Sequence, residues 1–179
     1  GMAHTEHGGT LVADLFTESP ASMREKLDNF PKYVRRQSLA RFIARYELFK
    51  LQLEVCGSIV ECGVHHGGGL LSWAKLSAAF EPYAIHRRIY GFDTFDGFPH
   101  TDARDQPVMP NAASARGGLQ VGYDVYRELE QLVREFDENR YLSQFDKVFL
   151  IRGDAVQTIP KFIDDNPHVL VSLMFMDFD

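Results

Sequence analysis

The stretch Ser58-Ile59-Val60-Glu61-Cys62-Gly63-Val64-His65-His66-Gly67-Gly68-Gly69 constrains this chain more than any other. A short apolar run turns through glycines and enters Leu70-Leu71-Ser72-Trp73-Ala74-Lys75-Leu76, whose apolar spacing is helical. Strand, glycine turn and helix together aim backbone N–H groups and the positive end of a helix dipole at a ligand. Gly63 suits the positive φ of a tight turn, and Gly67 to Gly69 leave bare backbone for a ligand to approach. In a dinucleotide fingerprint, G-x-G-x-x-G, the second glycine makes room for a pyrophosphate. His65 holds that position here, so the pattern is G-x-x-x-G and favours a nucleoside-type ligand over NAD or FAD.

The totals narrow the classes of partner. A net charge of −6 with no basic cluster argues against nucleic acid or an anionic membrane surface. Arg35-Arg36 and Arg87-Arg88 read as solvated pairs. Cys56 and Cys62 make no disulfide framework, and Cys62 reads as a small buried thiol within the first strand. No signal peptide is read, and no apolar run reaches the roughly 20 residues of a membrane span, so a cytoplasmic location is expected. Gly1-Met2 resembles a tag-cleavage scar.

Along the chain, residues 1–18 read as a polar, mobile tail, and Ser19-Pro20 as the start of a helix to about Phe30. A longer helix is expected from about Lys32 to Val55. It turns Leu39, Phe42, Ile43, Tyr46, Phe49, Lys50 and Leu53 to one face, with Arg36, Arg41 and Arg45 mostly elsewhere. This helical leader, residues 1–57, is expected to pack as an extra layer before a sheet domain spanning 58–179. A helix from about Gly68 to Ala79 follows the glycine turn, then a strand over Arg88–Asp93. Residues 100–120, rich in Pro and Gly, read as a lid or a disordered insertion. A helix over about Tyr123–Phe136 leads to a strand at Val148–Ile151, and a short helix to about Asp165 carries Pro160 in its first turn. Val169–Met176 is almost unbroken apolar sequence and reads as a central strand buried on both faces. The alternation predicts an α/β fold, a doubly wound parallel sheet of four strands with an N-terminal helical extension.

The informative constellation is acidic. Asp93, Asp154 and Asp177 end three strands, and Glu61 stands just before the turn that ends the other. A carboxylate after the second strand is able to accept both ribose hydroxyls, Asp154 an adenine amine, and Glu61 to face a cationic ligand end. Taken one at a time, Asp93 and Asp154 read equally well as helix caps or turn residues. Together they favour an adenosine ligand with positive charge, S-adenosylmethionine being the obvious candidate. Asp177 and Asp179 repel one another unless a proton or a cation joins them, which points to a hard cation such as Mg²⁺, against a plain solvated turn. His65 and His66 read as capping or packing residues.

These residues resemble a known family. Ile59-Val60-Glu61-Cys62-Gly63-Val64 with Gly67-Gly68, then Tyr90-Gly91-Phe92-Asp93-Thr94-Phe95-Asp96-Gly97-Phe98-Pro99, Arg152-Gly153-Asp154 and Asp177-Phe178-Asp179 are similar to the macrocin O-methyltransferase family. The resemblance covers about residues 32–179, and its most specific part is Gly91 to Pro99. It implies a Rossmann-like class I methyltransferase fold, S-adenosylmethionine, Mg²⁺ and a sugar-like or other small hydroxylated acceptor. It implies donor contacts at Glu61, Gly63, Gly67, Asp93, Thr94, Asp154 and Ala155, a metal ligand at Asp177 and a general base at Asp179. The family commonly carries an aromatic and an arginine where His65 and His66 stand. It also continues into further strands with a second metal-binding aspartate pair, so the expectation is a donor-binding front half of such an enzyme. A binding module without turnover is the second expectation, and a homo-oligomer is compatible with either.

Overall fold

The structure, a computed structural model, describes residues 8–96 and 123–178. The chain forms two compact units, Gly1–Ala44 and Arg45–Asp179. The division falls inside a helix.

The first unit is helical. The tail expected to be mobile forms α1, Gly8–Glu18, with Val12, Leu15 and Phe16 at helical spacing. The next helix, α2, Met23–Asp28, starts at Ser22 rather than at Ser19-Pro20. Ser22 and Glu25 form a reciprocal capping box that satisfies two otherwise orphaned N–H groups, and this overrides the proline signal. A single 3₁₀ turn at Phe30–Lys32 then leads to α3, Arg36–Gln52. Phe42 and Ile43, expected on its buried face, are exposed.

From Arg45 onward the chain builds a four-stranded sheet. Its strands are β1 (Ser58–Cys62), β2 (Ile89–Asp93), β3 (Val148–Arg152) and β4 (Val171–Met176), all parallel, in the order β3-β2-β1-β4. The connecting helices are α4 (Gly68–Phe80), α5 (Val125–Glu138) and α6 (Ala155–Asp165). Strand alternation sorts the core onto two faces. Ile59, Ile89 and Val148 pack with Leu70, Trp73 and Ala74 of α4, Leu129 of α5 and Phe49 of α3. Val60, Cys62, Tyr90 and Phe92 face the other way, onto Ile159 and Phe162 of α6.

Two expectations fail here. Among the described residues β4 is not buried on both faces: it is an outer strand of the four, pairs with β1 and exposes Val171, Met174 and Met176. Leu173 and Phe175 alone of its side chains pack on the first core cluster. An apolar run records what a strand can bury, whereas its place in the sheet decides what it does bury. Pro160 sits in the second turn of α6, not the first, because Asp154 caps that helix by accepting from Val156 N–H at 2.9 Å. Among the described residues no helix is long and apolar enough to cross a membrane. Residues 100–120, Gly97 to Pro99 and Asp179 lie outside the described residues.

Candidate functional site

The carboxyl ends of the strands carry the site. Each parallel strand delivers its last residues to one edge of the sheet, where a doubly wound fold binds its ligands. Asp93, at the end of β2, reaches across to the turn after β1. Its Oδ2 accepts the backbone N–H of Val64 at 2.7 Å and of His65 at 2.8 Å, and its Oδ1 accepts Phe95 N–H at 2.8 Å. The turn reading of Asp93 is realised in these three bonds. The residue is a turn staple whose three bonds leave about one of the roughly four lone-pair sites of its half-exposed carboxylate.

The glycines of the turn have different jobs. Gly63 has φ 84°, and a Cβ there would run into the backbone carbonyl of Asp177. Gly67 has φ 82°, and a Cβ there would strike Leu129 of α5. A Cβ on Gly69 would meet Glu61 Oε1 and an Arg45 terminal nitrogen. Only Gly68 has open space in front of its Cα. Packing therefore explains Gly63, Gly67 and Gly69, and Gly68 alone presents bare backbone at the start of α4.

Glu61 is buried, with 1% of its surface exposed. Burial pushes its carboxyl up to about 7; Asp177 and Asp93 add to the rise, while Arg45 and the Trp73 indole oppose it. Its Oε2, Arg45 Nε and Trp73 Nε1 are all buried without completing a hydrogen bond. One Arg45 terminal nitrogen lies 3.7 Å from Glu61 Oε1 and 3.8 Å from Asp177 Oδ2, so a single guanidinium serves the ends of β1 and β4. That guanidinium rests over Phe175 at 4.8 Å and Trp73 at 5.8 Å. Arg45 was missed by the sequence reading, which turned it away from the core. The signal lay in the spacing: Arg45, Phe49 and Gln52 fall at i, i+4 and i+7, and this stripe, not the one through Phe42, is inward.

The remaining candidates divide. Thr94 Oγ1 accepts Asp96 N–H at 3.3 Å in the loop after β2. Asp154 spends one oxygen as the cap of α6, with Ala155 the first residue of that helix. Beside them, Arg152 binds both oxygens of Asp96 at 2.9 and 3.0 Å and lies over Tyr126, which meets Phe95 edge-on. His65 has φ 51°, its ring packs against His66, and His66 Nδ1 lies 3.0 Å from the Tyr123 hydroxyl. Asp177 is half exposed, and its nearest charged neighbour is a guanidinium. Among the described residues no three His, Cys, Asp or Glu side chains are placed to hold a metal ion.

Sheet order, crossover helices and acidic strand ends define the Rossmann-like fold of class I methyltransferases. No family model matches the chain, and no curated protein does. Among solved structures it is similar to CalS11, a calicheamicin methyltransferase: TM-score 0.88, 29% identity, over 94% of this chain and 65% of that one. It is also similar to the apo structure of CalS11 described as a TDP-rhamnose 3'-O-methyltransferase of calicheamicin biosynthesis. There the TM-score is 0.77 and the identity 24%, over 95% of this chain and 64% of that one, a likeness of fold. The chain thus spans just under two thirds of the length of these solved relatives.

Proposed function

We propose that the chain binds S-adenosylmethionine at the carboxyl edge of its sheet and serves O-methyl transfer to a sugar-like or other small hydroxylated acceptor. The observation that carries this is the charge at that edge: Glu61 and Asp177 share one guanidinium, Arg45, and the Asp93 carboxylate lies near enough to add to the rise of the Glu61 carboxyl. A surplus of negative charge at low dielectric suits a ligand with a cationic end, and unpartnered Glu61 Oε2 is the acceptor left for it. The open backbone at Gly68 and the positive end of α4 fit a nucleoside, while His65 stands where a dinucleotide fingerprint has the glycine that admits a pyrophosphate. The likeness to CalS11 over 94% of the chain supports the choice of chemistry.

The donor, when bound, supplies a methyl group already activated on a sulfonium. This chain's part is to bind and orient. Asp93 holds the turn after β1 and offers its remaining lone-pair site, on Oδ1, to a ribose hydroxyl. Thr94, Asp154 and Ala155 line the adenine side, Gly63 and Gly67 shape the turn, and Glu61 faces the amino-acid end. Asp179 remains the proposed general base and, like Mg²⁺, stands on the resemblance, with no step here routed through the metal.

Calorimetry of S-adenosylhomocysteine and NAD against this chain tests the reading. Binding of the first and not the second is expected, and NAD binding alone would overturn it. Methyl transfer to a sugar hydroxyl separates the enzyme from a binding module without turnover.

A further inference from the structure

Arg45 stands apart from the other charged residues at the strand edge, because it arrives from the helix before the first strand and packs before it pairs. Its guanidinium lies over two aromatic rings, Phe175 of β4 at 4.8 Å and Trp73 of α4 at 5.8 Å. Those rings themselves meet edge-on, with centroids 5.7 Å apart. Phe175 is the register partner of Glu61, so the aromatic seat and the carboxylate sit on adjacent strands at the same level. From this seat one nitrogen addresses both Glu61 and Asp177, at distances of charge pairing rather than hydrogen bonding. Gly69 closes the arrangement, since any side chain there would displace the Glu61 and Arg45 heads together.

We propose that Arg45 is a positioning residue for the donor's amino-acid end, fixing Glu61 and Asp177 at the ends of β1 and β4 so that the ammonium meets an ordered carboxylate pair. The inference rests on the methyl-donor reading above and extends it to the helix that precedes the sheet. Arg45 does not itself touch the ligand. Its effect is therefore confined to ligands that carry the ammonium.

The test compares two ligands by calorimetry on the 179-residue chain: S-adenosylhomocysteine, which has the amino-acid end, and 5'-methylthioadenosine, which lacks it. Arg45→Met should weaken the first about tenfold or more, the scale of a lost partner in a buried charge pair, and the second less than about twofold. Arg45→Lys should recover most of the loss. Should Arg45→Met fail to fold, Arg45→Gln carries the same comparison. Equal weakening of both ligands, or a lysine variant no better than methionine, would show Arg45 to be a packing residue only. A wild-type chain that binds neither ligand would instead defeat the methyl-donor reading itself.

Discussion

The backbone N–H of His65 donates to Asp93 Oδ2 at 2.8 Å across 28 residues of sequence, and it does so from a left-handed conformation, φ 51°. Phe95, also held by Asp93, is left-handed too, at φ 58°, and donates to Oδ1. Each such residue costs about 1–2 kcal/mol of strain, so one carboxylate stabilises two strained turns on either side of the ligand edge. The strain is local, and its restraint is a residue proposed to meet the ligand.

Asp93→Asn should therefore destabilise the chain as well as weaken the donor. The amide turns one acceptor into a donor facing N–H groups. A loss of about 2–4 kcal/mol in urea denaturation is expected, together with weaker S-adenosylhomocysteine binding. A stability change under about 0.5 kcal/mol would show that the clamp does not hold the turn.

The glycines of the turn should separate in the same assay. Gly63→Ala places a Cβ at φ 84° against the Asp177 carbonyl and should cost at least about 2 kcal/mol. Gly68→Ala meets no neighbour and should change stability by less than about 1 kcal/mol, while lowering donor affinity by filling the space the ligand approaches. If donor affinity survives Gly68→Ala intact, the ligand does not cross that backbone.

Local pattern carried most of the fold, because β1 to β4 and α4 to α6 each declare themselves through apolar runs, periodicity and glycine or aspartate punctuation. What local pattern did not carry was neighbourhood. β4 reads as central, but edge position is a property of the whole sheet. Ser22 and Glu25 spelled a capping box in plain sight, yet Ser19-Pro20 drew the boundary. The acidic strand ends were legible as types, whereas Arg45 became part of the site only once α3, β1 and β4 were brought together.

Arg87 shows the same limit and yields a prediction. Read as half of a solvated pair, it is in fact 1% exposed. Its Nη1 donates to the carbonyls of Val55 and Gly57 and to Ser172 Oγ, and its Nε donates to Glu81 at 2.7 Å. The guanidinium ties the end of the leader to α4 and β4, so Arg87→Met should cost about 3–5 kcal/mol by stranding Glu81 and the two carbonyls. A thermal midpoint within about 2 °C of wild type would mean that water replaces it at no cost, on a scale of several degrees per kcal/mol.

Glu61 supplies a pH dependence whose sign can be worked through. Its carboxyl sits near 7 in the folded chain, against 4.5 for the unperturbed group, chiefly because it is buried. Between those values the folded state keeps a proton that the unfolded state has released, so raising the pH across that window removes stability, and above about 7 the loss is complete. Other carboxylates titrate over the same range, so the informative quantity is a difference. Glu61→Gln mimics the protonated form at every pH. Its stability relative to wild type should rise by roughly 1–3 kcal/mol between pH 4.5 and pH 8, for a shift of this size in a buried group. Urea denaturation at the two pH values measures the gap. A gap that stays constant would mean that Glu61 is ionised throughout, with Arg45 alone compensating its burial. A gap that widens while Glu61→Gln also loses S-adenosylhomocysteine would tie the strained charge to donor binding.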